Sequence, residues 1–156
     1  MTQFNSLLLA IDLAATRREQ ALAELQKQRQ AHAFAQGQMD QLQQYATETE
    51  LRWTQGAQRG TTPELLHHHY QFMARLQQAV SLQQGALLAS SGRLENAQQK
   101  VLVEEFRLAS LKQLLSRRQS ELAKLHQRQD QKQMDEFAAM QTMRQLRQKL
   151  ENSHEC

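Results

Sequence analysis

The chain has 156 residues, a formal net charge of +3, 40% hydrophobic residues and only 5% aromatics, with one proline, five glycines and 28 glutamines. Helix-favouring residues dominate and helix breakers are nearly missing, which argues against a compact mixed fold and for long helices. Positive and negative side chains are interspersed, unlike a nucleic-acid surface, where Lys and Arg gather on one face.

From the N-terminus, the run Leu7-Leu8-Leu9-Ala10-Ile11 is too short to span a bilayer, and Asp12 interrupts it. It also lacks the basic lead-in of a signal peptide. No exported or membrane-spanning segment is expected. Residues 2–57 read as a first helix. Its heptad frame runs through Phe4, Leu7, Ile11, Ala14, Arg18, Ala21, Leu25, Gln28, His32, Ala35, Met39, Leu42, Ala46, Thr49 and Trp53. Many of these are alanine, so the apolar stripe is thin.

Residues 58–62 read as a turn. Gly56 and Gly60 suit a helix end, and Thr62-Pro63-Glu64 suits a restart: a hydroxyl cap, proline in the first turn, then an acid near the positive end. A short break between two long helices implies an antiparallel hairpin.

The second helix is expected over 63–150, and it carries the strongest pattern in the chain. Every seventh residue from Leu66 is apolar: Met73, Val80, Leu87, Leu94, Val101, Leu108, Leu115 and Leu122. A helix turns once in about 3.6 residues, so this spacing makes a slowly winding seam that a second helix must cover. The intervening positions mix apolar Leu76, Ala97, Leu111 and Leu125 with polar His69, Gln83, Ser90, Glu104 and Arg118.

If the chain reverses near Gly60, facing residues have numbers summing to about 119. Met73 then meets Ala46, Val80 meets Met39, Leu94 meets Leu25, Leu108 meets Ile11 and Leu115 meets Phe4. Leu76 meets Leu42, Ala97 meets Ala21 and Leu111 meets Leu7. Polar positions coincide as well, His69 with Thr49 and Ser90 with Gln28, while Arg18 and Glu104 make a charged layer that fixes register. The first helix starts near residue 4, so the second loses its cover near residue 116 and roughly thirty residues run on alone, about 45–50 Å of helix. They carry Met134, Phe137, Met140, Met143, Leu146 and Leu150 spread around the helix, and methionine suits an adaptable contact surface. A frayed or disordered tail is expected over 151–156. The one cysteine, Cys156, cannot form an internal disulfide, which fits a reducing compartment.

Chemistry has no foothold. Consecutive His67, His68 and His69 point in different directions, no cysteine or carboxylate cluster joins them, and they are expected to face water in a first helical turn. There is no phosphate loop, nucleophile elbow or H-E-x-x-H signature. Neither an enzyme nor a metal or other cofactor is expected. Phe72, Leu76 and Ala79 form a ridge beside the seam; Leu76 reads as core contact, and Phe72, large and apolar on a thin scaffold, as a partly exposed docking residue. Gly85 and Gly92 fall on the outer face one heptad apart, where each weakens the helix by up to about 1 kcal/mol.

The box Asp130-Gln131-Lys132-Gln133-Met134-Asp135-Glu136-Phe137-Ala138, followed by Met143-Arg144, resembles the closing signature of the FliJ family, a component of the bacterial flagellar type III export apparatus. Leu8 to Ala14 and the stretch from Tyr70-x-Phe72 to Ala79 agree, so the resemblance spans nearly the whole chain. It implies an all-α protein, an elongated antiparallel two-helix coiled coil (a helical hairpin) with a C-terminal helical overhang. It further implies a non-enzymatic, stalk-like role, with the rod projecting into the hexameric ring of the export ATPase FliI. Asp130, Met134, Asp135, Glu136, Phe137 and Met140 would be its ring-facing residues. The other implied partners are the cytoplasmic domain of the export gate FlhA, the ATPase regulator FliH and substrate-specific chaperones. The gate-docking ridge maps onto Phe72, Leu76 and Ala79, with a fourth position at Gln83 where the family pattern often has histidine. The implied location is cytoplasmic, with membrane association only through partners and no nucleic acid.

Two other readings compete: a self-associating structural coiled coil with the seam pairing between chains, and the equivalent stalk of a virulence-type secretion system. A third is a chaperone binding export substrates through the Met-rich tail.

Overall fold

The structure, a computed structural model, describes residues 2–154, the side chain of Thr2 excepted. Cys156 lies outside the described residues. The described residues form two helices, α1 (Thr2–Ala57, 56 residues) and α2 (Pro63–His154, 92 residues), which pack against each other as a helical hairpin. The second helix continues four residues past 150, through Glu151–His154.

The turn is built by the residues that announce it. Arg59 N–H donates to Gly56 O at 3.1 Å and Gly60 N–H to Ala57 O at 3.1 Å, tightening the last turn of α1. Gly60 has φ 107°, a left-handed conformation that a side chain resists. Gly56 is still helical, so a single glycine makes the reversal. Thr62 then caps α2: its hydroxyl accepts from Leu65 N–H at 3.2 Å and its carbonyl from Leu66 N–H at 3.0 Å. Pro63 fills the first helical position, where an N–H would have no intrahelical partner, and Glu64 sits in the first turn.

Glutamine earns its abundance on the outer faces. Its side-chain amides donate to carboxylates one turn away: Gln28 to Glu24 at 2.8 Å, Gln36 to Asp40 at 3.0 Å, Gln44 to Glu48 at 3.1 Å and Gln131 to Asp135 at 3.2 Å. Each such pair supports a helix by about 0.2–0.5 kcal/mol.

The chain forms two compact units, Asp12–Leu108 and, separately, the residues up to Ile11 with those from Ala109 on. In the first unit the two helices run antiparallel around a core of Ala21, Leu25, Ala97 and Val101, flanked by Leu22 and Leu94. These partners, with Gln83 against Ala35, keep the constant sum of residue numbers that the heptads demand. In the second unit Leu7 is buried, and Phe4, Leu111, Leu114 and Leu115 are half-buried. Arg118 lines a shallow pocket with Gln3, Ser6 and Leu7. Every position of the α1 heptad frame from Phe4 to Trp53 is buried or half-buried, as is every seventh residue of α2 from Leu66 to Leu115. Arg118 is the last residue of α2 with appreciable cover, and all described residues from Gln119 on are exposed.

Two polar expectations fail, and a third layer stays unbonded. Arg18 does not pair with Glu104: it turns to its neighbour Glu19 at 3.3 Å, and Glu104, only 7% exposed, lies 3.6 Å from Arg107 on the next turn of its own helix. The shorter local reach wins over the charged layer across the seam. The coincidence of Ser90 with Gln28 brings no bond: the Gln28 amide is taken by Glu24, and the Ser90 hydroxyl is buried without a hydrogen-bond partner. His69 does not face water. Its ring stacks on Trp53 at 4.2 Å with planes 6° apart, and its Nε2 lies 3.7 Å from Glu50. It occupies an inward heptad position, and that outweighs its place in the first turns of α2.

Candidate docking surfaces

Two apolar surfaces stand out, one near the turn and one along the end of α2. Near the turn, Phe72 is 39% exposed and its ring meets Tyr45 of α1 edge-on, with centroids 6.0 Å apart and planes at 79°. That T-shaped contact is a favoured aromatic geometry and holds Phe72 in one orientation on the surface. The rest of the ridge turns inward. Leu76 is buried in the seam and Ala79 is half-buried. Gln83 is half-buried, with its amide donating to Ala35 O at 2.9 Å and reaching Gln38 Oε1 at 3.3 Å. Of the four ridge residues, then, Phe72 alone presents a large apolar group outward, and its ring neighbour on the surface is Tyr45. Tyr45 was missed by inspection of either helix alone, because it is off its own heptad frame. Only the register places it beside Phe72.

Along the end of α2, Asp130, Met134, Asp135, Glu136, Phe137 and Met140 are all exposed. They do not share one face. Asp130, Met134 and Phe137 line a shallow groove with Gln133, Ala138 and Gln141. At about 100° per residue, Met143, Leu146 and Leu150 fall on the opposite side from Met134, with Met140 between. The Gln131 amide ties to Asp135 at 3.2 Å. An isolated helix bearing apolar groups all round is marginal in water.

Among the described residues no group of three or more His, Cys, Asp or Glu is placed to hold a metal ion, and no helix is long and apolar enough to cross a membrane. The molecule is thus defined as a helical hairpin with exposed aromatic, aliphatic and methionine side chains. Residues 3–147 match the family model described as the flagellar FliJ protein, and the chain belongs to that family, a component of the flagellar export apparatus. Neither a curated protein nor a solved structure matches it.

Proposed function

We propose that this chain is a stalk-like coupling component of flagellar protein export: the uncovered end of α2 engages the export ATPase FliI inside its hexameric ring, and the surface around Phe72 docks on the cytoplasmic domain of the export gate FlhA. One observation carries the reading. The seam loses its cover after Arg118 while α2 continues to His154 with Met134, Phe137, Met140 and Met143 exposed, a design suited to being gripped from several sides. The surrounding ring subunits supply the neighbours the helix lacks. At the gate, Phe72 with Tyr45 forms the anchor, Ala79 widens it, and Leu76 and Gln83 support it from the α1 side.

On this reading the protein works in the cytoplasm, reaches the inner face of the membrane only through its partners, associates with FliH at the ATPase, and escorts emptied chaperones back to new substrates. The match to a flagellar family model favours this machinery over a virulence-type system. The test is a pull-down with purified FliI and the FlhA cytoplasmic domain. The chain is expected to retain both, the Phe72→Ala variant only FliI, and the Met134→Ala/Phe137→Ala variant only FlhA. Retention of both partners by both variants sinks the assignment.

A further inference from the structure

Within the Asp12–Leu108 unit most seam layers are apolar on both helices. Three consecutive layers are not. Gln83 bonds Ala35, and in the register that this bond fixes, His32 falls opposite Leu87 and Gln28 opposite Ser90. Ser90 is only 2% exposed and its hydroxyl has no hydrogen-bond partner; Nδ1 of His32 is likewise buried and unpaired. Burying a polar group without a partner is unfavourable, so these layers hold the helices together less well than those on either side. The flanking layers are Met39 with Val80 and Leu25 with Leu94, the latter in the main core cluster.

The backbone is weakest over the same span. Gly37, Gly85 and Gly92 lie inside the helices, and nothing comes within 4 Å of where a Cβ would stand at any of them. No close approach demands a glycine there, and glycine in a helix interior favours unwinding. Of the other polar layers of the seam, Arg18 with Glu104 has no glycine near it and borders the apolar cluster, and at Thr49 with His69 the His69 ring is stacked on Trp53.

We propose that residues 28–37 of α1 and 83–92 of α2 form a joint, a segment that opens locally while the apolar layers on both sides stay closed. The side chain of Gln83, donating to Ala35 O and reaching Gln38, is the catch that holds it shut. Such a joint lets the hairpin yield at its middle without unzipping from the turn.

Amide hydrogen exchange of the full chain, read by mass spectrometry, tests this. Residues 28–37 and 83–92 are expected to exchange at least about tenfold faster than 18–25, 39–46, 73–80 and 94–101. The Gly85→Ala/Gly92→Ala variant, which adds methyl groups only into open space, is expected to slow both segments roughly tenfold, including the unaltered 28–37, and to leave 18–25 unchanged. Gln83→Ala is expected to speed both segments. None of these variants removes an apolar layer, so the hairpin remains folded. Uniform protection along the hairpin overturns the proposal. So does an alanine effect confined to 83–92, or one spread evenly over the whole hairpin.

Discussion

The helix α2 contains two regions built from the same residue types under opposite conditions. Over Leu66–Leu115 its seventh residues are covered by α1, and Leu76, Ala97, Val101 and Leu108 are buried. Past Arg118 the same helix carries leucine, methionine and phenylalanine, all exposed. The pattern differs accordingly. Where a partner helix is supplied by the chain, an apolar residue recurs every seven positions and makes a covered stripe, beside exposed ones such as Leu82, Leu88 and Phe106; where none is, the apolar residues scatter around the axis with no covered stripe. The covered stripe is what marks the neighbour that the chain itself supplies.

Breaking the covered region has the largest expected effect. Leu25→Ala, at the centre of the core cluster, should cost about 2–5 kcal/mol in urea unfolding. Met134→Ala/Phe137→Ala should stay within about 0.5 kcal/mol of the parent, because no buried surface is lost. A comparable loss from the second pair would mean that the end of α2 has cover after all.

Next, deleting residues 130–156 should lower far-UV ellipticity in proportion to the helix removed, leave the unfolding midpoint unchanged, and, on the proposed reading, abolish retention of FliI. A shifted midpoint would tie the two regions together energetically.

A smaller change of opposite sign is expected inside the seam. Glu104 is buried with only Arg107 at 3.6 Å for company, so Glu104→Leu should raise stability by about 1 kcal/mol, measured by urea midpoint. Thr62→Ala removes the cap accepted by Leu65 N–H and should cost about 1 kcal/mol, seen as a lower thermal midpoint. The subtlest outcome is Tyr45→Ala: helicity and stability close to the parent, with weaker gate-domain affinity because Phe72 loses the ring that orients it. If gate affinity is unmoved, the edge-on contact has no part in docking.

The fold was legible because heptad spacing is a geometric code: two stripes of matching layers, one short break with a glycine and a capped restart, and only one register satisfies both. The contacts of individual polar side chains were not legible in the same way. Register put Arg18 near Glu104, but pairing is decided by rotamers and local reach, and Glu19 and Arg107 were nearer partners. Sequence neighbours suggested that His69 was one of three equivalent histidines, whereas its heptad position already marked it as facing α1. The outward ridge was legible at Phe72, a bulky group beside the seam. Its companion Tyr45 lies 27 positions away on the other helix, and no local pattern connects them.

The stack of His69 on Trp53 has an optical consequence. Trp53 is the chain's only tryptophan, so all indole emission comes from one layer beside the turn. An imidazole lying 4.2 Å away and nearly parallel couples that emission to the closeness of the two helices at this point. Separation there would brighten the signal and move it toward the red while circular dichroism stayed constant. The protein thus carries its own reporter at the turn end of the hairpin, and the proposed binding there can be followed without a label.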